Sequence, residues 1–264
     1  MGRPLFVVDA FTDQPYRGNP AAICLLERPA EVAWMQRVAA EMNHSETAFL
    51  WPRPDGYQLK WYTPKIEIDL CGHATLASAH VLWEEGRVDK ARPISFHTKS
   101  GLLTAVKRDA WIEMDFPAEP VAEASIPPAL AEAFGTTFRY VGLNRLDYLV
   151  EVANEATLRA LKPDQAMLAI LPVRGVILTS KSAKPDYDYV CRFFAPLAGV
   201  AEDPVTGSAQ CALGPYWANK LDKSELVGYQ ASQRGGVLRV RMAGKRIALG
   251  GQAISVLRGE LLHV

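Results

Sequence analysis

Several patterns that would quickly assign a function are missing from this chain. Its 29 Lys and Arg residues are matched by 29 Asp and Glu, so no net field draws it to nucleic acid or to an anionic membrane. The basic stretch LRVRMAGKR alternates along an expected strand and reads as a solvated face. No apolar run approaches the length of a membrane span. The opening MGRPLFVVDAF lacks the long apolar core and small-residue cleavage site of a secretory signal. Phe6 stands where a myristoylation pattern needs a hydroxyl residue. The expectation is a soluble, cytoplasmic protein with no nucleic-acid partner and no membrane partner.

Cysteine and histidine are sparse and dispersed. Cys24, Cys71, Cys191 and Cys211 form no CxxC pair and are expected to be reduced thiols, given the missing export signal. The Asn-His-Ser sequon at Asn43 then has no glycosylation context. His44, His73, His80, His97 and His263 show neither HExxH nor any other zinc spacing. No metal is expected.

What is present is the balance of a globular protein: 49% apolar and 22% charged residues over 264 positions, enough for one large domain or two ordinary ones. Apolar, β-branched runs recur throughout, and the alternation of Leu59, Trp61 and Thr63 with Gln58, Lys60 and Tyr62 predicts half-buried strands. Met35, Val38, Ala39 and Met42 fall at i, i+3, i+4 and i+7 and predict a helix. Two more helices are expected over 72–85 and 207–220. Many strands and few helices imply an α+β or α/β architecture with mostly antiparallel sheets. The Pro-rich segment 116–134 reads as a linker.

On either side of that segment one pattern occurs twice. LKWYTPKIEIDLCGHATLASAHVLW runs from strand through proline and loop to a small-residue helix ending at Trp83. VCRFFAPLAGVAEDPVTGSAQCALGPYW does the same and ends at Trp217. A basic residue and two aromatics precede each proline, and seven steps separate Pro64 from Cys71 and Pro196 from Asp203. Duplication is the better explanation. It would set two helix N-termini facing each other across an interdomain cleft, each with unpaired N–H groups and the positive end of its dipole. Gly72 and Gly207 would let a ligand approach the backbone, with His73, Thr75, Thr206 and Ser208 adding donors. The expected guest is a small carboxylate.

Cys71 and His73, two apart at a helix start, are expected to diverge rather than meet, which weakens both a Cys–His nucleophile and a metal pair. Cys71 is equally open to a reading as a turn or core cysteine. Asp203 and Glu46 are acid/base candidates, against plain readings as a turn residue and a rim residue.

DAFTDQPYRGNPAAIC, NHSETAFL, DLCGHATLASAHVLW and EDPVTGSAQCALGPYW together closely resemble the PhzF family of phenazine-biosynthesis isomerase-like proteins, in matching order across almost the whole chain. The resemblance implies the diaminopimelate epimerase-like fold: two pseudo-symmetric α+β domains, each a mostly antiparallel sheet wrapped around a central helix. The expected domains are 1–120, completed by 253–264, and 121–252. It also implies an isomerase acting in an interdomain cleft, usually as a homodimer. Glu46 matches the general acid/base that moves a carbon-bound proton, Asp203 the second acidic residue, and His73 and Ser208 groups that orient substrate. Gly72, Thr206, Gly207, Asn19 and Cys71 complete the expected binding set. The family works without metal, nucleotide or pyridoxal phosphate, so no cofactor is expected. In the related epimerase both pre-helix positions carry cysteine. Here the second is read as Asp203, which argues against a two-thiol epimerisation. The competing readings are a non-catalytic carboxylate-binding protein and a Cys-dependent epimerase, racemase or hydrolase.

Overall fold

The computed structural model describes residues 2–263. Its chain divides into two compact units. One runs to Asp115 and resumes at Gly250, and the other extends from Phe116 to Leu249.

The first unit contains β1 (Arg3–Ala10), β2 (Asn19–Leu25), α1 (Val32–Met42), β3 (Glu46–Arg53), β4 (Gly56–Tyr62), β5 (Glu67–Ile68), α2 (Gly72–Glu84), β6 (Ile94–Thr98), β7 (Gly101–Arg108) and β8 (Trp111–Pro117). The second contains β9 (Ala122–Glu123), α3 (Pro128–Phe134), β10 (Tyr140–Leu143), β11 (Asp147–Glu151), α4 (Glu155–Ala160), α5 (Gln165–Ala169), β12 (Gly175–Lys181), β13 (Tyr189–Phe194), α6 (Gln210–Leu221), β14 (Glu225–Gln230), β15 (Gly236–Ala243) and β16 (Arg246–Gly251). The last strand, β17 (Ala253–Leu261), pairs antiparallel with β1.

Strand pairing repeats between the units. In the first, β1 meets β2 antiparallel, β2 meets β3 parallel, β3 meets β4 antiparallel, β4 meets β6 parallel and β6 meets β7 antiparallel. In the second, β10, β11, β12, β13, β14 and β15 follow the same sequence of senses. Even the outer partner recurs, β17 on β1 and β9 on β10. Side chains repeat as well. Lys60 on β4 pairs with Glu67 at 3.1 Å, and Arg192 on β13 pairs with Glu202 at 2.7 Å, each tying the strand to the turn after the proline.

Each sheet packs around a helix that is buried on most sides, as expected of a helix with little polar surface. In α2 every residue from His73 to Ala79 is buried, together with Val81, Leu82 and Trp83. Its two hydroxyls are satisfied within the helix: Thr75 Oγ1 donates to Cys71 O at 2.5 Å and Ser78 Oγ to Ala74 O at 2.6 Å. Gly251, just past the point where the first unit resumes, leaves no room for a side chain, since a Cβ there would lie 2.6 Å from Leu76 and 2.4 Å from Phe11. In α6, Pro215 removes the N–H that would bond Cys211 O, and Glu119 N–H fills that place at 2.8 Å.

Two expectations need correction. Segment 116–134 is largely not a linker: Leu130, Ala133 and Phe134, at i, i+3 and i+4, put α3 into the core of the second unit with Leu158, Leu178 and Phe194. The helix expected over 207–220 begins at Gln210, and Gly207–Ala209 form a tighter turn in which Gln210 N–H bonds Gly207 O and Cys211 N–H bonds Ser208 O. Among the described residues no helix is long and apolar enough to cross a membrane.

Candidate active site

In the first unit the parallel pairing of β2 with β3 brings Ala21 level with Glu46. The helix α1 stops at Asn43, which takes a left-handed φ of 51°, and three residues later Glu46 opens β3. The N-terminus of α2 supplies the facing group. Glu46 Oε2 lies 3.2 Å from His73 Nε2, with side-chain exposures of 16% and 8%. The approach is within ion-pair range yet off line for an aligned hydrogen bond at Nε2. Contacts of this kind commonly tighten only when substrate is bound. On the other side of the ring, Cys71 Sγ lies 3.5 Å from His73 Nδ1. Cys71 and His73 therefore meet rather than diverge, because Cys71 is extended (φ −145°) where it caps α2, and its side chain turns back over the first turn.

Burial depresses the His73 pKa to about 3, with a smaller contribution from nearby His44. The imidazole is neutral across the ordinary pH range. Burial also raises the Cys24, Cys191 and Cys211 thiols to about 12, and all four cysteines are free.

Glu46, Cys71 and His73 place one donor atom each within 4.8 Å of one another, a carboxylate–thiol–imidazole set of the kind zinc accepts. Their arrangement fits an ion poorly. The ring stands between the other two and gives Nδ1 to sulfur and Nε2 to oxygen. A single ion would need both partners on one ring nitrogen. The contacts instead run in order from thiol through ring to carboxylate.

Asn19, at the start of β2, is fully buried. The loop before it is held by left-handed backbone at Phe11, Tyr16 and Gly18, with Tyr16 N–H donating to the buried Asp9 carboxylate at 2.7 Å.

The second unit holds its own polar constellation at the turn before α6. Thr206 Oγ1 donates to Asp203 Oδ2 at 2.5 Å. The buried Gln230 braces both residues: Nε2 donates to Asp203 O at 2.8 Å, and Oε1 accepts Thr206 N–H at 2.9 Å. Ser208 Oγ accepts from Arg174 Nη1 at 2.9 Å. Gln210 Nε2 donates to Thr206 O at 3.2 Å, the same i to i+4 contact that Thr75 makes with Cys71 O. By this pattern Thr206, not Asp203, stands in the place of Cys71. Counting back from the helix shows why: eight steps join Pro64 to Gly72 and eleven join Pro196 to Gly207. The three additional residues lie before Thr206 and displace the seven-step count.

The comparisons with known proteins agree with this architecture. The family model for phenazine biosynthesis-like proteins, PhzC-PhzF, matches residues 8–259. The chain belongs to the PhzF family. A protein of Halalkalibacterium halodurans, named as an uncharacterized isomerase, is 54% identical over 263 residues, 99% of each chain. The human phenazine biosynthesis-like domain-containing protein is 37% identical over 99% of each chain. A crystal structure of a PhzF-family protein from Enterococcus faecalis superposes with a TM-score of 0.96 at 38% identity, covering both chains fully.

Within this PhzF-family chain, Glu46, His73 and Cys71 come together in the first unit, where Gly72 begins α2. Asp203, Thr206, Gly207 and Ser208 share one turn in the second. Sequence reasoning missed Gln230 and Arg174. Neither lies in a motif: Gln230 ends β14 and Arg174 immediately precedes β12, both distant in the chain from the turn, so only the fold brings them there.

Proposed function

We propose that the protein is a cofactor-independent isomerase that moves a carbon-bound proton within a small carboxylate, with Glu46 as the general acid/base. The observation that carries this reading is the half-buried Glu46 carboxylate facing a buried, neutral His73 at 3.2 Å. A carboxylate held in a partly buried position beside a neutral donor can take a proton from carbon and return it to another. A neutral imidazole beside it adds a donor without a competing positive charge. If the Cys71 thiol donates to Nδ1, the remaining ring proton sits on Nε2, toward Glu46, so Cys71 fixes the tautomer. Asp203 and Ser208, with Thr206, Gly207, Gly72 and Asn19, are proposed as groups that bind and orient the substrate.

The 3.5 Å contact of Cys71 with His73 favours a second reading, a thiol-dependent epimerase. That mechanism needs His73 to accept the thiol proton, and burial sets its pKa at about 3. An imidazolium there is costly, and the Glu46 reading is preferred. The test is incubation in D₂O with unsaturated cyclic carboxylates, beginning with cyclohexa-2,5-diene-1-carboxylate, read by mass spectrometry. Enzyme-dependent deuterium uptake at carbon supports the isomerase. Ligand-induced stabilisation without uptake across the panel would instead indicate a binding protein.

A further inference from the structure

The repeated topology gives the two units corresponding positions with different chemistry. Glu46 opens β3, which runs parallel to β2, and contacts His73, the residue after Gly72. Arg174 immediately precedes β12, which runs parallel to β11, and contacts Ser208, the residue after Gly207. The first unit thus has a carboxylate on an imidazole, and the second a guanidinium on a hydroxyl.

We propose that Arg174 is a positioning residue that fixes Ser208 as a hydrogen-bond donor to the substrate carboxylate. This deepens the reading of the protein as a small-carboxylate isomerase and rests on it. A guanidinium has no acceptor, so in the 2.9 Å contact Ser208 Oγ must accept, and its own hydrogen is directed elsewhere. Donation by a cation also polarises the hydroxyl and makes it a stronger donor.

Arg174 is itself held by Asp147 and Phe193. Its Nε donates to Asp147 Oδ1 at 2.9 Å, and its Nη2 donates to Asp147 Oδ2. The guanidinium lies 5.4 Å from the Phe193 ring centroid. Asp147 is fixed in turn: its side chain is 2% exposed, and its N–H donates to Asn144 Oδ1 at 2.8 Å. Burial raises the Asp147 pKa, against the opposing pull of Arg174. The bidentate pair satisfies most of the charge of Arg174 and sets the direction of Nη1, while 34% of the side chain stays exposed. Arg174 therefore acts through orientation, and Ser208 touches the substrate.

The test is calorimetric titration of the full chain with benzoate as the carboxylate probe. Ser208→Ala and Arg174→Met are each expected to weaken binding about tenfold, the scale of one hydrogen bond to a charged group. The double variant should bind no more weakly than either single one, since Arg174 works through Ser208. Ser208→Thr should restore binding to within about threefold of the wild type. Should Arg174→Met fail to fold, Arg174→Lys carries the same expectation, because an ammonium cannot hold Asp147 in a fork and reach Ser208 as well. Wild-type affinity in the Arg174 variant, additive losses in the double variant, or no benzoate binding by the wild type would overturn the proposal. The coupling is read in binding alone, so its failure leaves proton exchange by Glu46 standing, and the reverse.

Discussion

Glu46 Oε2 lies 3.2 Å from Nε2 of His73, an imidazole that burial keeps neutral. The pairing sets a carboxylate against an uncharged imidazole. In the proposed mechanism proton transfer rests on the carboxylate, and the imidazole supplies direction.

Replacing His73 tests that division of labour. His73→Ala should lower the rate of carbon–deuterium exchange by about 10²-fold, the usual effect of removing one preorganised donor. The exchange rate at saturating probe, followed by mass spectrometry, checks it. A change in KM alone would place His73 in uniform binding instead.

Cys71 should matter through geometry rather than nucleophilicity. Cys71→Ser keeps a donor for Nδ1 of His73 and should hold the exchange rate within about threefold, whereas Cys71→Ala should lose about tenfold or more. Complete inactivation by Cys71→Ser would return the thiol to the centre of the chemistry.

Acid should destabilise the fold in a window set by its histidines. His73 and His80 have folded pKa values of about 3 and about 4, both lowered by burial from 6.5. Below pH 6.5 the unfolded chain binds protons that the folded chain refuses, so stability is complete above 6.5 and falls as pH drops toward 3. Each histidine contributes a slope of up to about 1.4 kcal/mol per pH unit, His80 down to about pH 4 and His73 down to about pH 3. Urea midpoints of the wild type and His73→Asn between pH 7 and pH 4 measure it, and the variant should show the shallower dependence.

Much of this arrangement was legible in the sequence because it is local. The i, i+3, i+4, i+7 spacing of Met35, Val38, Ala39 and Met42 marks α1 correctly, and the small-residue run after Gly72 marks a buried helix. Matched strand–proline–helix segments pointed to the repeat that the strand pairings display. The misreadings have physical causes. Proline density concealed α3, although Pro128 stands in its first turn, where a missing N–H costs nothing. The short helices α4 and α5 are begun by Asn154 and Asp164, whose side chains accept from Thr157 N–H and from Ala166 and Met167 N–H. Caps of that kind stand out only once the following residues are known to be helical. The contact of Cys71 with His73 depends on one backbone conformation at the cap, which residue spacing does not determine.

The hydroxyl of Thr206 should be worth more than its size suggests. It donates to Asp203 Oδ2 and accepts from Gln230 Nε2 at 3.2 Å. Thr206→Val leaves buried polar atoms without that partner and should cost about 1–3 kcal/mol, a fall in Tm of roughly 2–4 °C per kcal/mol for a chain of this size. Thr206→Ser should recover most of it. Differential scanning calorimetry of the two variants separates hydrogen bonding from packing.

The most direct test of the account is deuterium exchange by Glu46→Gln, compared with the wild type, on cyclohexa-2,5-diene-1-carboxylate in D₂O. The amide keeps the shape of the side chain but cannot take a proton from carbon, so exchange should fall by about 10³-fold or more while benzoate still binds. Exchange at the wild-type rate in Glu46→Gln would contradict the account.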